Sequence, residues 1–390
     1  MKYDFDSVIN RRGTGSVKWD DLDQRFGSED VLPLWVADMD FKSPQPVIDA
    51  IKSAADHGVF GYSKPTHSYY DSVKAWMKRR HGWDIKEEWI TLTPGVVPAL
   101  HVLTRTFTKP GDEVVVQTPA YHPFFHVIEN NGRTALLNPL TLSGGRYTMD
   151  LDDLERRISP RTSMALLCSP HNPVGRVWSP EELAGFGEVC ARHNILIIAD
   201  EIHHDLVLPG FRHVPFAPVV PDIASGVIVC TAASKTFNLP GLHTSNILIR
   251  DARLRERFCS ALSLSGIGSA NTFGIVATEA AYRHGEDWLE QLLDYLAGNI
   301  EFAVSFARER IPGLRVVKPE GTYLVWLDFR ETAIPEGRLD TFLRTSAKVG
   351  LNIGTMFRCQ ENGFARMNIG CPRSTLEDGL RRIETAISRL

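Results

Sequence analysis

The chain has 390 residues, 43% of them hydrophobic, and a formal net charge of −4. That length suits two or more domains, or one large and one small, and the apolar content is enough for a full core. No Lys/Arg block marks a nucleic-acid partner, no apolar run approaches the length of a bilayer span, and the opening "MKYDFDSVIN" lacks a signal-peptide core.

The six cysteines (Cys168, Cys190, Cys230, Cys259, Cys359, Cys371) are scattered without a C-x-x-C pair. This disfavours structural zinc and a disulfide framework, and points to a reducing cytoplasm. In chain order, residues 1–45 hold Pro and Gly punctuation around "LPLWVADMDF" (32–41) and read as an arm that joins a small domain or clasps a partner. Short apolar runs come next: "WITLT" (89–93), "EVVVQ" (113–117), "MALLCS" (164–169), "ILIIAD" (195–200), "VIVCT" (227–231) and "SNILIR" (245–250). They lack strict polar alternation, as strands buried on both faces do. Between two of them, "SPEELAGFGEVCARHN" (179–194) reads as a helix with Ser179 as cap, Pro180 at its first position and Glu182 completing a capping box. Strand, helix, strand in succession predicts a parallel α/β sheet. After about residue 280 the texture changes. "EDWLEQLLDYLAGNIEFAVSFARER" (286–310) reads as one long amphipathic helix, succeeded by "GTYLVWLDF" (321–329) and "FARMNIG" (364–370). The expected fold is therefore α/β: a large domain (46–284) with a mostly parallel sheet covered by helices, and a smaller α+β domain (285–390).

Parallel sheets put ligands at the C-terminal ends of their strands, so the residues just after each run are the candidates for a site. "PGVVPAL" (94–100) is a turn opening a helix, where the amides of Val96 and Val97 can face a phosphate; alone this is a common arrangement. In "TPAYHPFF" (118–125), Tyr121 offers a flat face to a ring, although an ordinary loop aromatic reads the same way. In "PHNPVGRVW" (170–178), Asn172 is either a turn asparagine or an amide donor to a phenolic oxygen. Asp200 ends an apolar strand, where a charge needs a partner. One partner is a divalent ion held by Asp200, His203 and Asp205 of "DEIHHD"; against it, H-E-x-x-H is absent and no other His/Cys cluster has ligand spacing. The other is a cationic pyridine nitrogen. Lys235, in "TAASKTFNLPG" (231–241), is a surface lysine or one that bonds covalently to a carbonyl. A phosphate cradle, a stacking tyrosine, an oxygen donor, a pyridinium partner and an amine at successive strand ends together match what pyridoxal 5′-phosphate requires.

With "HNPVGRVW", "ADEIHHDL" and "SKTFNLPGL" in this order, the sequence resembles the fold-type I pyridoxal-phosphate enzymes of the aminotransferase class I/II superfamily over nearly its whole length. "LPLWVADMDF", "FGYSKPT" (60–66), "DEIHHDLV" and "SKTFNLPGLHTSN" make it most similar to the cystathionine β-lyase-like C–S lyases of the MalY/PatB group. The resemblance implies that Lys235 forms the Schiff base and moves protons, Asp200 pairs with the ring nitrogen, and Tyr121 stacks on the ring. It places Asn172 and His203 on the phenolic-oxygen side. It gives the phosphate to the amides of Val96 and Val97 with Ser234, and to Tyr62 of a neighbouring subunit in a homodimer with shared sites. Arg366 would clamp the substrate carboxylate alongside Asn172. The implied cofactor is pyridoxal 5′-phosphate and the implied reaction is β-elimination from cystathionine or a related cysteine S-conjugate, giving pyruvate, ammonia and a thiol. No metal, nucleic acid or membrane is implied. Two positions depart from the aminotransferase pattern, Ala232 in place of Ser and His243 in place of Arg, and His203 stands where aminotransferases often have Tyr. These departures agree with the lyase branch. An aminotransferase using the same site, and a pyridoxal-phosphate-binding regulatory protein, are the other readings.

Overall fold

The computed structural model describes residues 2–223, 226–268 and 270–390. Its strands are β1 (Leu32–Pro33), β2 (Ile90–Thr93), β3 (Glu113–Thr118), β4 (Thr134–Pro139), β5 (Thr141–Ser143), β6 (Arg146–Thr148), β7 (Thr162–Cys168), β8 (Leu196–Asp200), β9 (Val227–Thr231), β10 (Ser245–Ile249), β11 (Arg315–Val317), β12 (Leu324–Asp328), β13 (Val349–Gly350), β14 (Asn352–Ile353) and β15 (Phe364–Asn368). Seven of them form the central sheet in the order β2-β10-β9-β8-β7-β3-β4. All six predicted runs are strands of this sheet. The missing polar alternation has a direct cause. Val115, Leu167 and Ile197 feed one apolar core, while Val114, Val116, Leu166 and Ile198 feed a second one. Both faces are covered by helices, so neither face needs polar residues.

The register sets up the site. Asp200 is paired with Cys168 of β7 and with Cys230 of β9, which aligns the C-terminal ends of three parallel strands. β10 differs: it runs antiparallel to both β2 and β9, with Ser245 opposite Thr93 and Asn246 opposite Thr231. Its N-terminal end therefore lies at the same edge as its neighbours' C-terminal ends.

The helix Pro180–Arg192 begins with the predicted capping box. Ser179 accepts from the Glu182 amide, and the Glu182 side chain accepts from the Ser179 amide. Such a cap is worth about 1 kcal/mol. The long helix Glu286–Arg310 is present as predicted and packs against the last helix, Arg373–Ile387. Beside these lies an antiparallel sheet in the order β11-β12-β15-β14, whose two central strands are wholly buried. The N-terminal segment joins this part of the chain: β1 pairs in parallel with β13, Leu32 opposite Val349. Trp76, Trp178, Trp288 and Trp326 are fully buried, and truncating any one to alanine is expected to cost about 3–5 kcal/mol. Among the described residues no helix is long and apolar enough to cross a membrane.

Candidate active site

A cavity of about 320 Å³ opens at the aligned strand ends, lined by Val96, Val97, Tyr121, Asn172, Asp200, His203, Ser234 and Lys235 among others. Eight of the ten residues singled out from the sequence thus meet in one place. Arg366 joins them from behind Asn172, and Tyr62 lies elsewhere.

Lys235 sits on the short helical turn Ala233–Thr236 that leaves β9. Its Nζ donates to the carbonyl of Ala37 at 2.7 Å, and the Tyr323 hydroxyl donates to the same oxygen at 2.8 Å. Burial pulls the Lys235 amine down to about 8; Arg366 acts in the same direction, while Asp38 and Asp200 oppose it. An amine held there has a substantial neutral fraction near physiological pH, as a nucleophile requires. Asp200 is the last residue of β8. Among the described residues its Oδ1 accepts only from the Ile202 amide, at 3.2 Å. Burial pushes its carboxyl up to about 7 against the pull of that amide and of Lys235. It is a buried acid with room for a stronger donor.

Arg366 lies on β15 between Trp326 and Asn352 and is buried. One Nη donates to Asn172 Oδ1 at 3.0 Å and the other to the Trp35 carbonyl at 2.8 Å. Among the described residues its Nε has no partner, and the guanidinium stands 5.0 Å from the centre of the Phe357 ring. Burial lowers the group to about 10, opposed by Tyr121 and Tyr323. Among the described residues no carboxylate forms an ion pair with it. An interior cation without a counter-charge is costly, and an anionic ligand would offset that cost. The bond to Arg366 also orients Asn172, committing its Oδ1 and leaving its NH₂ as the group that can donate.

His203 is buried and its Nδ1 has no partner among the described residues. Burial, then Lys235 and Arg366, hold it well below the usual imidazole range, so the ring is neutral. Tyr121 is half-buried and packs edge-on against Phe124. Burial, with Asp200 nearby, pushes its phenol up to about 12. Val96 and Val97 open the helix Val96–Phe107, and the residue before them, Gly95, has φ +128°, a left-handed conformation that favours glycine. The amides of that first turn have no partner within the helix, and they point the positive end of the helix dipole into the cavity.

Thr244, Ser245 and the carbonyl of Ala37 are not marked by the sequence, and His243 is marked there only as a departure from the aminotransferase pattern. His243, Thr244 and Ser245 line the cavity because β10 is antiparallel and enters the sheet where its neighbours end; inspecting only the C-terminal end of each strand overlooks them. The close packing of Gly274 on Thr244 and on the carbonyl of Leu242, where a Cβ has no room, fixes that entry. Ala37 contributes through its backbone carbonyl. Of the two departures, Ala232 is buried outside the lining, whereas His243 stands in it.

Tyr62 is fully exposed, with Val59 and Phe60 also exposed nearby, and is not part of the cavity within one chain. The "DEIHHD" metal set also fails. Asp200 and His203 line the cavity, whereas the Asp205 carboxylate accepts from Trp76, His81 and Thr236. The only His/Cys/Asp/Glu group with ligand-like spacing among the described residues is His81, His204 and Asp205. There the carboxylate is already engaged by those donors, and Arg80 Nε stands 3.6 Å from it.

The chain matches the family model for aminotransferase class I and II over residues 29–383. It belongs to that family. It is 45% identical to cystathionine beta-lyase PatB of Bacillus subtilis over 98% of this chain and 100% of that protein. Among solved structures it superimposes with a TM-score of 0.97 on a pyridoxal-phosphate-bound protein of Clostridium difficile 630 provisionally assigned as an aminotransferase (41% identity, 99% and 100% of the two chains covered). It superimposes with a TM-score of 0.96 on cystalysin of Treponema denticola, whose structure contains pyridoxal 5′-phosphate (37% identity, 100% of both chains covered). The family membership and the α/β architecture agree with the resemblance carried by the strand-end motifs.

Proposed function

We propose that this chain is a pyridoxal-phosphate-dependent C–S β-lyase that splits cystathionine or a related cysteine thioether, with water, into a thiol, pyruvate and ammonia. One observation carries the reading: a single cavity holds the depressed amine of Lys235 and the raised acid of Asp200, with the unpaired guanidinium of Arg366 behind it. The donor set fits the cofactor. Asp200 lacks a strong donor and suits a pyridine N–H. The NH₂ of Asn172 and the unpartnered Nδ1 of His203 suit the phenolic-oxygen side. Tyr121 supplies a stacking face. The first-turn amides of Val96 and Val97, with the hydroxyls of Ser234, Thr244 and Ser245, suit a phosphate. When bound, the cofactor supplies a carbonyl for Lys235 and an electron sink that acidifies the substrate Cα proton.

The remaining work falls to side chains. Arg366 holds the α-carboxylate through a bidentate fork, with Asn172 beside it. With the cofactor bound, the Lys235 amine would take the proton from Cα. The sulfur leaves Cβ as a thiolate, a good leaving group because its thiol has a pKa of about 8.5, and Lys235 can return the proton to it. The 2-aminoacrylate product hydrolyses to pyruvate and ammonia. In this reading Tyr62, with Val59 and Phe60, lies on a homodimer interface and reaches the partner's phosphate. Residues 46–284 hold the cofactor, while the 1–45 arm and residues 285–390 form the smaller unit. The six free cysteines suit a reducing cytoplasm.

An aminotransferase is the second reading, favoured by the assignment given to the Clostridium difficile structure. The purified protein is expected to release pyruvate and thiol from cystathionine without any added 2-oxo acid. Turnover that requires 2-oxoglutarate as acceptor would overturn the lyase reading. Lys235→Ala should abolish turnover and the visible absorbance of the lysine-bound cofactor.

A further inference from the structure

Behind the cavity lies a buried carboxylate that the chemistry above does not use. Asp205 accepts from Trp76 Nε1 at 3.0 and 3.2 Å, from His81 Nε2 at 2.7 Å and from Thr236 Oγ1 at 2.8 Å, and His204 Nε2 stands 3.2 Å away. These donors come from three stretches of chain: the helix His67–His81, the loop after β8, and the lysine turn. The His204 ring is fixed on its other side, its Nδ1 lying 2.5 Å from the Glu201 carbonyl. Burial opposes the ionised form of Asp205, yet His204 and His81 hold its carboxyl well below the usual range. The same contact raises His204 despite its own burial, while burial lowers His81 to about 4, leaving it a neutral donor. The cluster is one buried carboxylate with the Arg80 guanidinium 3.6 Å away and His204 Nε2 at 3.2 Å. Well-packed apolar residues are often as stable as such a pair, so its presence calls for a role in geometry rather than in stability.

The geometry points to Thr236. Successive residues on a helical turn diverge by about 100°, so Lys235 faces the cavity while Thr236 faces Asp205. The turn Ala233–Thr236 has four residues, too few to hold its own shape. We propose that Asp205 is a positioning residue. Through Thr236 it fixes the rotation of the lysine turn, so that the Lys235 amine stays buried against the Ala37 carbonyl; through Trp76 and His81 it locks that turn to the helix His67–His81. The inference rests on Lys235 being the reactive amine but not on which reaction the amine serves.

The groups that face Lys235 are Asp38 and the Ala37 carbonyl from the N-terminal segment, Asp200 and His203 from the end of β8 and its loop, and Arg366 from β15. Thr236→Val removes the bond to Asp205 and leaves every one of these charges in place. Thr236→Ser keeps the donor. In the full-length chain stripped of cofactor, the pH profile of Lys235 reductive methylation by formaldehyde and cyanoborohydride, read by peptide mass, should have its midpoint near 8 in the wild type. In Thr236→Val the midpoint should rise by at least about half a pH unit toward the free-lysine value of about 10.4, because the loosened turn lets water reach the amine. Thr236→Ser should retain the wild-type midpoint. In the loaded enzyme, the pH dependence of the visible absorbance band should be displaced in Thr236→Val alone. A lowered melting temperature with an unchanged Lys235 midpoint would show a purely structural contact and overturn the proposal. Thr236→Ala takes the place of the valine variant if that variant does not fold. Borohydride trapping of the cofactor on a different lysine would refute the functional reading while leaving the Lys235 midpoint shift intact, so the two failures are distinguishable.

Discussion

Asp200 should weaken the cofactor-free chain, and the size of the effect can be worked from its environment. Its carboxyl is raised from 3.8 to about 7, burial being the main cause. A carboxyl with a raised folded-state pKa binds a proton that the unfolded chain has already lost, so stability falls as pH rises through that window. Relative to a neutral isostere the penalty is absent below about pH 4 and complete above about pH 7; at 1.36 kcal/mol per unit its ceiling is about 4 kcal/mol. Asp200→Asn keeps an oxygen for the Ile202 amide and removes the charge. The variant should therefore gain on wild type by about 2–3 kcal/mol more at pH 8 than at pH 5, from the same linkage relation. Urea unfolding of the full-length, cofactor-stripped proteins at the two pH values measures this directly. With the cofactor bound the sign should reverse, since the wild-type carboxylate then has a cationic ring nitrogen beside it. An advantage for Asp200→Asn that is equal at pH 5 and pH 8 would refute the view that Asp200 is an acid awaiting a cationic partner.

Arg366→Met should lower kcat/KM for a cysteine thioether by about 10²–10⁴, the loss of two charge-assisted hydrogen bonds at about 1.5–3 kcal/mol each; an equal loss with an amine substrate lacking the carboxylate would assign the effect to packing against Trp35 and Asn172. Gly175→Ala should destabilise the fold by about 3 kcal/mol or more, because Gly175 has φ +72° and its new Cβ would stand 2.9 Å from Pro319 Cα and 3.3 Å from the Gly321 carbonyl; chemical denaturation reads it, and a change below about 1 kcal/mol would show that the 319–321 segment yields freely. Mixing inactive Tyr62→Ala and inactive Lys235→Ala protomers should restore up to roughly one intact site per heterodimer if the site is shared across a two-fold axis; verified heterodimers without activity would place Tyr62 outside the partner's site.

The strands of the central sheet were legible because they are buried on both faces. "MALLCS" and "ILIIAD" place alternate residues in two separate cores, and such strands carry no polar letters to confuse the reading. β4 escaped notice for the opposite reason. It is the edge strand, and most of Thr134–Pro139 is only partly buried or exposed, so its sequence carries little apolar signal. Within the site, side chains just beyond the parallel strands could be found by position, and Lys235, Asp200, Asn172 and Tyr121 were. Ala37 could not, because a carbonyl is common to every residue and only the folded arm shows which one meets Lys235 and Tyr323. His243 stands out in the sequence only as a departure from the aminotransferase pattern, and placing it with Thr244 and Ser245 in the cavity needs the direction of β10, which an apolar run does not encode.

The cavity and the cluster behind it treat charge in opposite ways. Asp205 is saturated: its anion has His204 beside it and accepts from Trp76, His81 and Thr236. Among the described residues Asp200 and Arg366, both buried, each lack a counter-ion, and Lys235 rests on a neutral carbonyl. Burial alone does not distinguish the two groups, and neither does residue type, since Asp200 and Asp205 are five positions apart in one motif. The state of their partners does. An ionised group whose bonds are complete within the protein can fix geometry, whereas one left incomplete in a cavity is held for a ligand and destabilises the chain until that ligand arrives. On that ground the raised carboxyl of Asp200, the lowered amine of Lys235 and the Nε of Arg366, unpartnered among the described residues, are the groups we assign to the proposed chemistry, and the Asp205 cluster is assigned to the scaffold that aims it.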